Sequence, residues 1–98
     1  MILEAAYLNV IAGQEDEFER AFGGAKEIIA SMSGFVALEL QRCIEAPGRY
    51  LLLVQWLTLE DHTVGFRTSP EYQHWKALLH HFYDPFPTVE HYEMVYTA

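Results

Sequence analysis

Five histidines and one cysteine are the side chains of this chain best suited to chemistry: His62, His74, His80, His81, His91 and Cys43. A helical pair must be three or four residues apart to share a metal ion. His74 and His81 are about two turns apart on one helix, and the adjacent His80 and His81 diverge around it. No pair has ligand spacing, and His62 and His91 could join one only through tertiary contact. The histidines therefore read as surface or interface residues, and no metal is expected. No glycine-rich phosphate loop and no G-x-S-x-G elbow occurs, so neither a bound nucleotide nor a serine nucleophile is indicated. Cys43 has no partner for an intrachain disulfide and reads as a small buried side chain in an apolar strand.

A more specific chemistry comes from aromatic residues grouped around His62. Trp56, Phe66, Tyr72, Trp75 and Leu79 would converge where the sheet meets two short helices, giving apolar walls with few polar groups, a setting for a flat polycyclic or quinol-like ligand. The same stripe also satisfies a plain core. His62 is either the polar tip of an exposed helix or a base in that pocket.

The elements that must position these residues are legible from periodicity. Residues 2–10 alternate as a first strand, and Ile11-Ala12-Gly13 turns into a helix of about five turns. Phe18, Ala21, Phe22, Ala25, Ile28, Ile29 and Met32 recur along it at helical spacing, and Glu15, Asp16, Glu17 and Glu19 crowd its first turns, where the dipole favours negative charge. Ser33-Gly34 ends it. Phe35 to Ile44 forms a second strand, and Ala46-Pro47-Gly48-Arg49 turns it back into a third. Thr58-Leu59-Glu60-Asp61 caps a short helix carrying His62 and Phe66, and Ser69-Pro70 opens another. On that helix His74 and His81 point away from the stripe formed by Tyr72, Trp75, Leu78, Leu79 and Phe82, and His80 lies on the other flank. Asp84-Pro85-Phe86-Pro87 breaks the pattern, and Val89 to Tyr96 alternates as a last strand. The order β-α-β-β-α-α-β is the split, ferredoxin-like α+β arrangement, an antiparallel sheet with its helices on one face. Residues 1–98 read as one domain.

Leu51 to Leu57 is apolar on both faces of its strand, and such a strand must be covered twice. The helices of so short a chain can cover one face, so the other is expected to lie against a second copy, making the protein a homodimer. Hydrophobic residues form 51% of the chain and aromatics 14%, enough for a core and an interface or pocket besides. Fourteen acidic against six basic residues leave a formal charge of −8, which repels phosphate backbones and anionic lipid and so excludes nucleic acid and membrane surfaces as partners. Strand pattern begins at Met1-Ile2-Leu3 without a basic and apolar leader, so a cytoplasmic protein is expected.

Several stretches together resemble the antibiotic biosynthesis monooxygenase family of dimeric α+β barrels. They are the short first strand with Val10-Ile11-Ala12-Gly13-Gln14 and its acidic helix, the Gly34-Phe35 strand entry, Trp56-Leu57-Thr58-Leu59-Glu60-Asp61, and Thr68-Ser69-Pro70-Glu71-Tyr72. The family includes cofactor-independent quinone-forming monooxygenases and haem-degrading enzymes. The haem branch uses an Asn in the first strand, a Trp in the short helix and a His ligand in the next. Anchored on Gly13, Trp56 and Ser69, those positions are Ala6, Phe66 and about Lys76, all changed. The resemblance thus implies a cofactor-free oxygenation of a small aromatic or quinol-type substrate by dioxygen. His62 would then be the catalytic base, with Tyr72 and Trp75 as donors or stacking walls, Trp56, Phe66 and Leu79 as further pocket walls, and Asn9 as a polar group from the first strand. A non-catalytic dimer that binds an apolar metabolite and a cofactor-free isomerase on the same barrel are the alternatives.

Overall fold

The computed structural model describes all of residues 1–98. Four strands, β1 (Ile2–Asn9), β2 (Phe35–Arg42), β3 (Arg49–Trp56) and β4 (Thr88–Tyr92), form one antiparallel sheet in the order β2-β3-β1-β4. Two helices, α1 (Glu15–Ala30) and α2 (Pro70–Leu79), connect them, with a π-helix over Asp61–Phe66 and a 3-10 turn over His80–Phe82. This is the ferredoxin-like α+β fold.

Local chemistry accounts for the turns. Ala46-Pro47-Gly48-Arg49 closes through Arg49 N–H donating to Ala46 O at 3.1 Å; Pro47 supplies the second position and Gly48, at φ +85°, the third. Thr58 and Asp61 cap one another: the threonine hydroxyl accepts from Asp61 N–H at 3.2 Å, and the carboxylate accepts from Thr58 N–H at 3.2 Å. Gly34, at φ +84°, lies against that box, where a Cβ would fall on the Asp61 carboxylate. Ser69 Oγ accepts from Tyr72 N–H at 3.1 Å with Pro70 at the first helical position, as the sequence indicates.

Strand alternation sorts the sheet into two unlike faces. Ala6, Leu8, Tyr50, Leu52, Val54 and Trp56 face the helices and are buried against Phe18, Phe22, Ala25 and Ile29 of α1 and Trp75 and Leu79 of α2. Leu3, Ala5, Tyr7, Leu51 and Leu53 point the other way, where this chain places no helix. Tyr7 is 45% exposed there, and Leu51 and Leu53 are half-buried.

Three boundaries differ from the sequence reading. The second strand stops at Arg42, leaving Cys43 half-buried just beyond it and Ile44 in solvent. The last strand stops at Tyr92, which pairs with Leu3 near the start of β1. Met94, Val95 and Tyr96 are consequently exposed. Helix α2 ends at Leu79, whose φ of −121° turns the chain into the 3-10 segment.

Candidate functional site

A cavity of about 310 Å³ opens between the helix-covered face of the sheet and the segments that follow β3. Its floor is Glu4, Ala6 and Leu8 of β1 with Leu52 and Val89 beside them. Phe66, Tyr72 and Trp75 form an aromatic wall, Phe66 meeting Tyr72 edge-on at 5.3 Å and Trp75 at 5.8 Å. His62, Arg67, His80, Tyr83, Phe86 and Pro87 complete the lining.

The π-helix decides where His62 points. Arg67 N–H donates to His62 O, five residues back, at 3.1 Å. This wider turn carries His62 and Phe66 inward and leaves Arg67 at the exposed rim. His62 is therefore only 2% exposed, not the polar tip of a surface helix. Its ring stacks on Trp56 at 5.6 Å, with 21° between the planes.

Glu4, a residue without a role in the sequence reading, lies beside it. It is 5% exposed and accepts from Trp56 Nε1–H at 3.0 Å on Oε1, with His62 Nε2 at 3.3 Å from the same oxygen. On its other side, His62 Nδ1 is 2.8 Å from Nε2 of His91, which sits opposite Glu4 on β4. The Nδ1 side of His62 is thus engaged by His91, and its Nε2 side faces the carboxylate. Burial raises the Glu4 carboxyl above its ordinary range, although Trp56 and the Arg67 cation pull it down. Burial also drives His62 down to about 3, helped by Arg67 and His91, so the imidazole stays neutral at neutral pH. Trp56 holds this buried, proton-avid carboxylate by one oxygen beside a neutral histidine, which leaves the other oxygen for a ligand.

Of the residues the sequence singled out, His62, Phe66, Tyr72 and Trp75 meet at the cavity. Trp56 and Leu79, both 0% exposed, lie behind it in the core; Trp56 acts on the site through Glu4 and His62. Asn9 does not reach the cavity: odd-numbered residues of β1 take the opposite face, and its carbonyl instead accepts from Asp84 N–H at 2.9 Å. His80 does reach it. The bend at Leu79 rotates it off the helical flank expected for it and onto the cavity lining. Lys76 remains exposed. A polar residue at an even position of an otherwise apolar first strand was the one signal that could have revealed Glu4.

With this geometry in view, comparison with known proteins is decisive for the family. The family model described as antibiotic biosynthesis monooxygenase matches residues 1–78. The chain belongs to the antibiotic biosynthesis monooxygenase family. It is 58% identical over 95 residues to the uncharacterized protein YczJ of Bacillus subtilis (strain 168), a match that covers 97% of this chain and 100% of that one. A Bordetella bronchiseptica crystal structure described as an antibiotic biosynthesis monooxygenase superposes with a TM-score of 0.93 at 36% identity, over 97% of each chain. SnoaB, a cofactor-independent oxygenase from Streptomyces nogalater, shares the fold at a TM-score of 0.79 and 20% identity, over 98% of this chain and 94% of that one. No helix in this family member is long and apolar enough to cross a membrane.

Proposed function

We propose that this protein is a homodimeric, cofactor-independent monooxygenase that oxidises a small aromatic or quinol-type substrate with dioxygen, using Glu4 as its general base. The observation that carries the reading is the buried Glu4 carboxylate at the wall of an aromatic cavity, held on one oxygen by Trp56 with His62 Nε2 3.3 Å away. Membership of the monooxygenase family supports the reaction class.

In this reading the free carboxylate oxygen takes a proton from the substrate. The resulting anion gives one electron to dioxygen, and the radical pair recombines at a ring carbon as a peroxide. Protonation and loss of water then leave a carbonyl: one oxygen atom enters the product, and the other departs as water with the two hydrogens the substrate lost. Burial raises the basicity of Glu4 toward neutral pH, and the apolar walls keep bulk water from the radical pair. His62 is a positioning residue here, because His91 engages its Nδ1 and its ring is stacked on Trp56.

Oxygen uptake against a panel of anthrones and dihydroxynaphthalenes, with mass analysis of product formed under ¹⁸O₂, tests the proposal. The expected result is one labelled atom per product and activity lost in Glu4→Gln. Saturable binding with no oxygen uptake across the panel would instead make the protein a binder, and anaerobic turnover would make it an isomerase.

A further inference from the structure

Arg67 is the one permanent cation among the residues that line the cavity, and no carboxylate pairs with it. The chain's arginine–carboxylate pair lies elsewhere, between Arg42 and Glu19. Arg20, Lys26 and Lys76 are unpaired as well, but they are exposed on the helices and line no part of this cavity, so water alone accounts for them. Arg67 is exposed and also forms part of the cavity lining, so it stands at the mouth, open to solvent and ligand alike.

Its backbone is fixed in that place. Arg67 N–H donates to His62 O and Thr68 N–H to Val64 O, each at 3.1 Å, and Ser69 N–H donates to Phe66 O at 3.0 Å. The π-helix thus holds the root of the side chain at the rim, one residue beyond Phe66 of the aromatic wall. The charge is felt throughout the site. Burial raises the Glu4 carboxyl and lowers the His62, His80 and His91 imidazoles, and beyond burial the Arg67 cation pulls all four down. With the histidines neutral, the site presents one carboxylate within and one guanidinium at its mouth.

We infer that Arg67 is a specificity residue that receives a carboxylate substituent of the ligand at the mouth of the cavity while the ring enters between Phe66, Tyr72 and Trp75, so that the preferred ligand class is an aromatic hydroxy acid. The inference rests on the proposed function for the ring and its hydroxyl, but its test reads binding without oxygen. A guanidinium presents parallel N–H donors that match the two oxygens of a carboxylate. Glu4 and the net charge of −8 repel an anionic ligand, so without this cation an acid would bind less well than its neutral amide. Arg67 reverses that order, and its exposure keeps the desolvation cost of the pair small.

The probes are 4-hydroxy-1-naphthoate, 3-hydroxy-2-naphthoate and 6-hydroxy-2-naphthoate, each paired with its uncharged amide and titrated calorimetrically under argon. At low ionic strength the wild-type protein should bind at least one acid about tenfold more tightly than its amide, the worth of one charge-assisted pair. Salt should shrink that preference, because the cation is exposed. Arg67→Gln should abolish or invert it, and Arg67→Lys, which keeps the charge and loses the fork, should retain part of it. Lys26→Gln removes the same charge from an exposed position on α1 away from the cavity and should leave the preference unchanged. Should Arg67→Gln fail to fold, Arg67→Lys and the salt dependence of the wild type decide. No preference for the acid in any pair, a preference indifferent to salt or to Arg67→Gln, or an equal loss in Lys26→Gln would each overturn the assignment. A preference for the acid without oxygen uptake from any quinol would support it and count against the oxygenase reading alone, and oxygen uptake without that preference would do the reverse.

Discussion

The two faces of the sheet are built by the same strands and differ only in parity. On one face, even positions of β1 and β3 meet α1 and α2 and are almost wholly buried; Leu52, Val54 and Trp56 have at most 3% of their surface exposed. On the other, Leu3, Ala5, Tyr7, Leu51 and Leu53 form an apolar centre rimmed by Glu39, Gln41, Gln55, Thr88 and Glu90, and no helix of the chain covers it. An apolar patch with a polar rim has the composition of an interface. The covered face, in contrast, holds an acid, two histidines and an arginine around its cavity. In the proposed function one face serves chemistry and the other assembly.

Neighbouring leucines of β3 provide the largest test of that contrast. Wild-type protein should sediment as a dimer at micromolar concentration. Leu53→Asp puts a charge in the bare face and should yield aggregated or unfolded material, because a protomer with that face in water lacks half its cover. Leu52→Ala, one residue away on the covered face, should cost roughly 2–5 kcal/mol and leave the dimer assembled. A folded, soluble wild-type monomer would break the comparison.

Next in size is Glu4→Gln. The amide can still accept from Trp56 but cannot take a proton, so turnover should fall by about 10²–10⁴-fold. Stability should move the other way. The native carboxyl titrates above its unfolded value, so ionisation opposes folding, and the stability present below the ordinary carboxylate range is lost as pH rises through the native pKa. Replacing Glu4 by a neutral isostere should therefore raise the melting temperature at pH 7. A variant that is both less active and less stable would point to a structural role for Glu4.

How much of this was legible in the sequence follows from the range of each signal. The hairpin turn, the Thr58 and Ser69 caps and the double apolarity of β3 are local patterns, and they place the fold and its family correctly. His62, Phe66, Tyr72 and Trp75 reach the cavity because they lie on the helical segments that periodicity identified. Glu4 and His91 could not be paired in advance, since strand register, not spacing, sets them opposite one another. The fate of His62 depends on a π-helix, and that of His80 on one backbone angle at Leu79. Neither has a sequence signature, so helical spacing alone leaves His62 open between surface and pocket and places His80 on the helix flank, off the cavity. Asn9 is polar in type, but its odd position on β1 puts it on the face away from the cavity.

Acid titration probes the covered face alone. His62 is neutral in the folded protein down to about pH 3, whereas in the unfolded chain it charges below about 6.5. Stability is thus fully present above pH 6.5 and is lost as pH falls toward 3, by roughly 3–5 kcal/mol at full extent. Glu4 acts in the opposite sense over part of that window, so the Glu4→Gln background gives the cleaner measurement. There, chemical denaturation at pH 7 and pH 4 should differ by most of that amount, and His62→Gln should flatten the difference. An acid loss that survives His62→Gln would place the titrating group elsewhere.

The smallest expected effect falls on Asn9, and it sharpens the contrast because the residue is polar yet on the wrong face for chemistry. Its backbone carbonyl, not its side chain, makes the contact to Asp84, and no alanine substitution removes a carbonyl. On β1 it pairs with Arg49 at the end of the sheet, away from the apolar centre formed by Leu51 and Leu53. Asn9→Ala should therefore change unfolding free energy by no more than about 0.5 kcal/mol, as surface substitutions generally do. It should leave turnover within about twofold, since a side chain on the far side of the sheet reaches no reacting atom. A tenfold loss of activity with stability intact would mean that the bare face contributes to catalysis, and that parity does not divide chemistry from assembly in this sheet.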